Sequence, residues 1–341
     1  MIKPIQRLDL SITNDTKILA TALDFNKHNK THPIDNFITN DLTLKCIARL
    51  FLSNVSSLEE NNQELYTGYI EKVISQEDLI KFYNNIEENQ YNLLNGQYLI
   101  LRDEDGNLLD VRCWTGNTYR YLNSKPIESK WFGKVSPYKG DVYQKCAIDS
   151  LVNNQLTVFR GGAGVGKSLL GLTYLFSLLE QGKIDKIYMF CNPVATRDSA
   201  KLGFYPGDKD LKLLDSQIGN FLVSKFGDRN AVEDLITNGK IILVPTADCR
   251  GMDITNNSGV YITEAQNSTI DLMKLMIQRI GENTKCVIEG DDKTQVDLIS
   301  YSGNNNGLMR LSEVFRGQSY YGEVTLKNCY RSELAKQAEL M

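Results

Sequence analysis

A glycine-rich run of eight residues constrains this chain more than any other feature of its sequence. Residues 161–168 read Gly-Gly-Ala-Gly-Val-Gly-Lys-Ser, and the spacing G-x-x-x-x-G-K-[ST] fits a loop whose backbone N–H groups surround the phosphates of a nucleotide. The apolar run Leu156–Phe159 predicts a buried strand before the loop, and Ser168–Leu179 predicts a helix after it. A glycine-rich turn that binds nothing is the alternative, and this order of strand, loop and helix disfavours it.

The residue types of the loop assign its roles. Glycine reaches positive φ angles that a side chain would block, so the backbone can approach a ligand closely. The Lys167 ammonium would contact the β- and γ-phosphates, and the Ser168 hydroxyl would bind Mg²⁺. The predicted cofactors are therefore ATP and Mg²⁺, and the predicted nucleotide-binding residues are Gly161, Gly162, Ala163, Gly164, Val165, Gly166, Lys167 and Ser168.

Composition narrows the class of protein further. At 341 residues the chain is long enough for two or more domains. Its sequence has no apolar stretch of the roughly 20 residues that a membrane helix needs, and its first residues lack the apolar core of a secretory signal. We therefore expect a cytoplasmic protein without a membrane partner. The net charge of −4 gives no general signal for a polyanionic partner, and the scattered cysteines indicate neither a disulfide framework nor a zinc site.

The first sixty or so residues alternate helical and extended patterns. Asp15–Leu23 has helical apolar spacing, with Asn14 or Asp15 as the predicted capping residue. Phe37–Asp41 indicates a short strand and Leu42–Phe51 indicates a second helix. This part is therefore predicted to be a small α/β segment.

The next part of the chain contains aromatic, alternating runs. Tyr98–Leu101 and Leu108–Trp114 are separated by the turn sequence of Asp103–Asn107, which is typical of a hairpin in a small β-rich linker module. The loop-like stretch Ser136–Gly140 then predicts a boundary before the nucleotide-binding part. The predicted domains are residues 1–62, 63–135 and 136–341.

Beyond the phosphate loop, strand-like and helix-like segments alternate. This alternation predicts an α/β domain with a mostly parallel sheet and crossover helices. The strand candidates are Lys186–Cys191, Lys240–Val244, Val260–Thr263, Lys285–Glu289 and Glu323–Leu326.

An acid follows one of these strands. Glu264 comes directly after Val260–Thr263, where a carboxylate would bind Mg²⁺ with the nucleotide and orient the attacking water. Thr263 occupies the preceding position, at which phosphate-loop NTPases place an aspartate that holds Mg²⁺. A hydroxyl should hold the ion less strongly than a carboxylate. For Glu264, the alternative is an exposed strand-end acid without a catalytic role.

Further candidates are spread over the same domain. Asp291 and Gln295 belong to a G-D-x-x-x-Q run after a strand and would reach the γ-phosphate or its water, although a loop-capping aspartate and an exposed glutamine are the alternatives. Arg331 and Arg250 would stabilise transition-state charge, from the same chain or from a neighbouring subunit. Gln144 lies upstream of the first strand, where its amide would pair with the adenine edge.

Five motifs follow one another from about residue 140 to the end of the chain. They are Gly161–Ser168, the Gly203–Asp208 turn, Glu264–Asn267, Gly290–Asp291 with Gln295, and Tyr330–Glu333. Together they closely resemble the PhoH-like ATPase family. The resemblance implies a RecA-like ATPase core similar to that of superfamily 1 helicases, in a homo-oligomer often assembled as a hexameric ring. The departures from the family pattern are Thr263 for Asp, Asn192 for Arg and Met252 for a basic residue, and they bear on Mg²⁺ affinity and turnover more than on ATP binding.

The front of the chain resembles the second half of a PIN nuclease domain in Asp15–Leu23 and Ile38–Ala48, and Glu64–Tyr69 resembles the linker of the PIN-fused branch. Resemblance to that branch implies RNA cleavage by the PIN part and RNA unwinding by the ATPase part. PIN sites use about four acids to hold divalent metal, and only Asp15 and Asp41 can be carried over, because the first strand would lie before the first residue. We therefore expect no ribonuclease activity, from either a truncated form of a longer protein or a degenerate remnant. A helix cap is an equally good interpretation of Asp15.

Two functions fit these patterns. The first is an ATP-hydrolysing motor that couples hydrolysis to the binding or unwinding of single-stranded RNA. The second is an ATP-dependent switch or assembly protein without motor activity, which the pI of about 5.5 and Thr263 favour. A small-molecule kinase fits poorly, because such a kinase needs neither the G-D-x-x-x-Q run nor the terminal arginine.

Overall fold

The computed structural model describes residues 13–56 except 32, 35 and 40, residues 66–191, residues 217–291 except 247, 248, 255 and 256, and residues 306–331. The chain divides into two compact units, residues 1–65 and 66–341. Within the described residues, every helix is too short or too polar to cross a membrane.

The described residues of the first unit form two helices and a pair of short strands. Thr13 caps the first helix and Thr16 returns the contact, its hydroxyl accepting from the Thr13 N–H at 2.9 Å, so the predicted cap at Asn14 or Asp15 is wrong by one or two residues. Asp41 caps the second helix, its carboxylate accepting from the Leu44 N–H at 2.6 Å. The strands pair in parallel. The elements are α1 (Asn14–His28), β1 (Phe37–Ile38), α2 (Leu42–Ala48) and β2 (Val55–Ser56).

The second unit begins with small strands and continues as a strand–helix alternation. Its helices are α3 (Gln76–Asn84), α4 (Val142–Asn153), α5 (Lys167–Glu180), α6 (Gln217–Phe226), α7 (Arg229–Thr237), α8 (Ile270–Ile277) and α9 (Gly307–Phe315). Its strands are β3 (Tyr69–Val73), β4 (Tyr98–Arg102), β5 (Leu108–Trp114), β6 (Tyr119–Tyr121), β7 (Ile127–Ser129), β8 (Gly133–Val135), β9 (Leu156–Arg160), β10 (Lys186–Cys191), β11 (Ile241–Pro245), β12 (Ser258–Ile262), β13 (Lys285–Gly290) and β14 (Tyr321–Thr325).

A six-stranded sheet forms the centre of the second unit, in the order β11-β10-β12-β13-β9-β14. All of its pairings are parallel, which confirms the predicted α/β class. The strands are apolar runs because helices cover both faces of the sheet. One core lies between the sheet and α4 and α5, and the other lies between the sheet and α8 and α9. This arrangement brings the carboxyl ends of β9, β12 and β13 to one edge, where ligands bind in such folds.

The predicted hairpin forms within a four-stranded sheet of order β3-β4-β5-β6. Its turn closes because the Asp103 carboxylate accepts from the Asn107 N–H at 2.7 Å. This sheet belongs to the same compact unit as the phosphate loop. Buried polar contacts join it to α4: the Asp149 carboxylate accepts from the Tyr98 hydroxyl at 2.9 Å and pairs with Arg120 at 2.7 Å.

Candidate functional site

An open cavity of about 1010 Å³ lies at the carboxyl edge of the six-stranded sheet. The phosphate loop runs from the end of β9 into α5 and forms one wall, and the residues after β12 and β13 form another. The candidates from the sequence that line this cavity are Gln144, Ala163, Gly164, Gly166, Lys167, Ser168, Glu264, Asp291 and Arg331. Most of the predicted site is therefore assembled in one place.

The loop is shaped by close backbone contact with the segment that follows β14. Gly161 has φ of 132°, and a Cβ there would lie 2.3 Å from the Leu326 carbonyl oxygen. The Tyr330 N–H donates to the Gly164 carbonyl at 3.0 Å. A Cβ on Gly164 would lie 2.2 Å from Cγ of Arg331. The stem of Arg331 therefore lies against the phosphate loop of its own chain.

Lys167 is held across the mouth of the loop. Its ammonium donates to the Gly161 carbonyl at 2.5 Å and to the Gly162 carbonyl at 2.8 Å. These contacts keep the charge beside two loop carbonyls, and among the described residues the ammonium forms no ion pair. A cation in that position is available to phosphate oxygens.

A glutamine connects the two acid-bearing strand ends. Glu264 has a left-handed backbone, with φ of 51° and ψ of 40°, which turns the chain into the short helix at 265–267. The Gln266 amide donates to the Glu264 carboxylate at 2.6 Å and accepts from the Asp291 N–H at 2.9 Å. Gly290 lies close beside it, since a Cβ there would be 3.0 Å from the Gln266 side-chain oxygen, a tight contact. Gln266, which the sequence placed only within a motif, therefore positions both ends.

Glu289, the next-to-last residue of β13, has no predicted role and lies at the centre of the site. Its carboxylate accepts from the Ser168 hydroxyl, with both oxygens at 2.9 Å, and from the Thr263 hydroxyl at 2.9 Å. The side chain is only 5% exposed. Burial raises the pKa of Glu289, while contacts that include Tyr261 and the charge of Lys167 act in the opposite direction. The available signal was an acid inside an otherwise apolar strand, where an unpaired charge is costly.

At the other end of the cavity, Gln144 already has two protein partners. Its amide oxygen accepts from the Tyr138 N–H at 2.8 Å, and its amide nitrogen donates to the Val165 carbonyl at 3.1 Å. The rings of Tyr138 and Tyr330 lie nearby, with centroids 4.5 Å apart, and the Tyr330 hydroxyl donates to the Asp141 carboxylate. Two partly exposed aromatic rings therefore stand beside the loop.

Other candidates lie elsewhere. Arg250 is exposed in the segment after the edge strand β11, which is four strands from β9 in the sheet, and it is absent from the described lining of the cavity. Asp15 is exposed in the first turn of α1, and Asp41 is exposed at the cap of α2. Across the described residues, no group of three or more His, Cys, Asp or Glu side chains is arranged to hold a metal ion. Gln295, Asn192 and the Gly203–Asp208 turn fall outside the described residues.

Comparison with known proteins finds relatives of one family. The family model for PhoH-like protein matches residues 139–341. The chain is 28% identical over 356 residues to Protein PhoH2 of Bacillus subtilis (strain 168), covering 98% of this chain and 79% of that protein. It is 31% identical over 164 residues to the PhoH-like protein of Synechocystis sp., covering 46% of this chain and 47% of that protein. It is also 31% identical over 195 residues to Protein PhoH of Escherichia coli (strain K12), covering 56% of this chain and 53% of that protein. The chain therefore spans about half the length of these last two relatives.

Solved structures show more distant likenesses. The crystal structure of Pif1 helicase from Candida albicans is 14% identical, with a TM-score of 0.29 over 58% of this chain and 42% of that chain. The Sulfolobus solfataricus SWI2/SNF2 ATPase core in complex with dsDNA is 15% identical, with a TM-score of 0.31 over 60% of this chain and 47% of that chain. Scores this low support no inference about function.

Proposed function

Because this chain belongs to the PhoH-like protein family, we propose that it binds ATP with Mg²⁺ and hydrolyses the γ-phosphate bond. One observation carries the proposal: Lys167, Ser168, Glu264 and Arg331 line a single cavity around the phosphate loop. These residues supply a phosphate-binding cation, a metal-binding hydroxyl, a base and a second cation, which are the groups that phosphoryl transfer to water requires.

Each group of the site has a separate role in the proposed reaction. Backbone N–H groups of the loop bind the phosphates, and the Lys167 ammonium exchanges its loop carbonyls for phosphate oxygens. Glu264, oriented by Gln266 at 2.6 Å, accepts a hydrogen bond from the attacking water. Arg331 neutralises charge that develops on the γ-phosphate.

The site contains a donor set that suits magnesium. Mg²⁺ prefers oxygen ligands and commonly takes one or two carboxylates together with phosphates. The Ser168 hydroxyl and the Glu289 carboxylate lie 2.9 Å apart, and Glu264 lines the same cavity. The bound ion would neutralise charge on the β- and γ-phosphates.

The base would bind at the aromatic end of the cavity. Tyr138 and Tyr330 are partly exposed and offer ring faces on which an adenine can stack. Gln144, with one amide oxygen and one N–H already engaged, would contribute its remaining N–H to the adenine edge.

The partner and assembly belong to the same proposal. The family resemblance supports single-stranded RNA as the polymer whose binding or unwinding is coupled to hydrolysis, within a homo-oligomeric ring that we propose to be a hexamer. In such a ring the exposed Arg250 would serve a neighbouring subunit. The PIN-like front of the chain is proposed to be inactive as a nuclease. The competing function is an ATP-dependent switch, favoured by Thr263 at the metal-binding position.

ATP hydrolysis with and without single-stranded RNA tests this proposal. We expect turnover in the wild type, stimulation by RNA, and a loss of about 100-fold or more in Lys167→Ala and in Glu264→Gln. Glu264→Gln should still bind ATP. Turnover that ignores RNA would select the switch. Turnover unchanged in Lys167→Ala would overturn the assignment of the site.

A further inference from the structure

The end of β12 lacks a charge that the site requires. Phosphate-loop NTPases hold Mg²⁺ with the loop serine or threonine and an aspartate at the end of a neighbouring strand. Here that position is Thr263, whose side chain offers a neutral hydroxyl. The hydroxyl donates its proton to Glu289 at 2.9 Å, so its lone pairs remain but it carries no negative charge.

The register of the sheet brings Glu289 to the same level as Thr263. β12 and β13 pair in parallel with Ile262 opposite Ile288, so the residues that follow each of these two stand side by side. β13 lies between β12 and the phosphate-loop strand β9. A carboxylate on β13 is therefore one strand spacing, about 4.8 Å, closer to the loop than one on β12.

The contacts of Glu289 coincide with those expected around the ion. The Ser168 hydroxyl, which is the loop's metal ligand in such folds, lies 2.9 Å from both carboxylate oxygens of Glu289. Within the part of the chain that the structure describes, Glu289 forms no ion pair, although its side chain is buried. Its described hydrogen bonds come from hydroxyls, and the charge of Lys167 favours the ionised carboxylate without forming an ion pair with it.

The other acids of the site have different positions. The Glu264 carboxylate is held by the Gln266 amide at 2.6 Å, on the side of the cavity assigned to the attacking water. The backbone of Asp291 is fixed by the same glutamine. Glu289 contacts the Ser168 hydroxyl with both of its carboxylate oxygens.

We infer that Glu289 supplies the carboxylate for the magnesium ion of the bound nucleotide, in place of an acid at position 263. The carboxylate therefore lies on the strand next to position 263, and the Thr263 hydroxyl donates a hydrogen bond to it. This inference rests on the proposed ATP-binding function and names the ligand set of the same site. It explains how a chain with threonine at position 263 retains a negative charge beside Ser168.

The test separates metal binding from turnover. The affinity for a fluorescent ATP analogue is measured in Mg²⁺ and in EDTA, and Mn²⁺ bound with a non-hydrolysable analogue is counted by electron paramagnetic resonance. For Glu289→Gln we expect the Mn²⁺ affinity of the nucleotide complex to fall by about 10–100-fold, with nucleotide affinity in EDTA unchanged or higher. The exposed Glu282→Gln, in the turn before β13, is the matched control and should behave as the wild type.

A double variant that places the carboxylate at position 263 instead of 289 provides the decisive test. Thr263→Asp combined with Glu289→Gln restores an acid to β12, and we expect it to recover most of the Mn²⁺ affinity. Melting curves verify that each variant is folded, and Glu289→Asp provides a second, shorter acid. If Glu289→Gln binds Mn²⁺ as tightly as the wild type, the inference is wrong while the proposed function stands. If the wild type binds no nucleotide in either Mg²⁺ or EDTA, the proposed function itself fails.

Discussion

Two buried glutamates flank the phosphate-loop strand, and their surroundings differ. Glu323 on β14 pairs with Arg160 at 2.6 Å and also accepts from the Ser312 and Tyr321 hydroxyls. Glu289 on β13 accepts only from hydroxyls and forms no ion pair among the described residues. The side chains of Glu323 and Arg160 are 0% and 2% exposed, and Glu289 is 5% exposed, so burial alone does not distinguish the two acids.

The difference lies in whether the charge is balanced within the protein. Glu323 is opposite Val158 in the sheet and Glu289 is opposite Phe159, so the two acids face opposite sides. Glu323 anchors β14 to the last residue before the phosphate loop, which is a structural role. Glu289 faces the loop serine without an ion pair among the described residues, as expected of an acid that binds a cation during function.

The largest effect should come from breaking the balanced pair. Glu323→Gln removes the carboxylate that pairs with the buried Arg160 guanidinium at 2.6 Å, and we expect the free energy of unfolding of the second unit to fall by about 3–5 kcal/mol. Urea denaturation measures this loss. The affinity for Mn²⁺ in the folded variant should stay that of the wild type.

Two further variants test whether the loss of stability comes from the buried charge of Arg160. Glu313→Gln removes an acid from the exposed pair with Arg310, which is 2.9 Å long, and should cost less than about 1 kcal/mol. Arg160→Met combined with Glu323→Leu removes both buried charges and should recover much of the stability. A Glu323→Gln protein as stable as the wild type would show that the buried pair is not the anchor.

The same glutamate-to-glutamine substitution at Glu289 should stabilise the nucleotide-free protein, whereas at Glu323 it destabilises. Because burial raises the pKa of Glu289 above its ordinary value of 4.5, the charged form is disfavoured in the folded protein. Glu289→Gln should therefore raise the melting temperature of the nucleotide-free protein at neutral pH by about 2 °C. Saturating ATP and Mg²⁺ should stabilise the wild type more than the variant, because stabilisation follows ligand affinity.

The pH dependence provides a second check on Glu289. Between pH 4.5 and the raised pKa, the folded state holds a proton that the unfolded state has lost, so stability falls as pH rises through this window. Below the ordinary value both states are protonated, and the contribution is fully present. The difference in melting temperature between Glu289→Gln and the wild type should therefore grow as pH rises from 4 to 8. A difference independent of pH would contradict the raised pKa.

Local patterns predicted the framework of this site. The apolar runs located β9, β10, β12 and β13 to within a few residues, because buried parallel strands require them. Spacing alone predicted the phosphate loop, because consecutive residues of such a loop contact the same ligand. The turn at Asp103–Asn107 predicted the hairpin of β4 and β5, because turn residues have strong local preferences.

The role of Glu289 could not be predicted in the same way. It is 121 residues from Ser168 in the chain, and the two meet only because β13 lies between β9 and β12. Sequence spacing carries no information about strand order. The cap of α1 was also misassigned, since Thr13, Asn14 and Asp15 are all residues that favour this position, and the reciprocal contact between Thr13 and Thr16 decides among them.

The smallest effects should come from the exposed acids of the first unit. Asp41 is exposed, and its carboxylate accepts the Leu44 N–H at 2.6 Å, so Asp41→Ala should destabilise the first unit by about 1 kcal/mol and leave ATP turnover unchanged. Hydrogen exchange of the α2 amides measures the loss, and Asp15→Ala, in the first turn of α1, should cost about 0.5 kcal/mol through the helix dipole alone. Metal-dependent RNA cleavage that is present in the wild type and lost in Asp41→Ala would give this acid a catalytic role and contradict the proposal that the first unit is inactive as a nuclease. Asp41 and Glu289 would then differ in degree of burial but share the task of binding a cation, and Glu323 with its ion pair would be the exception.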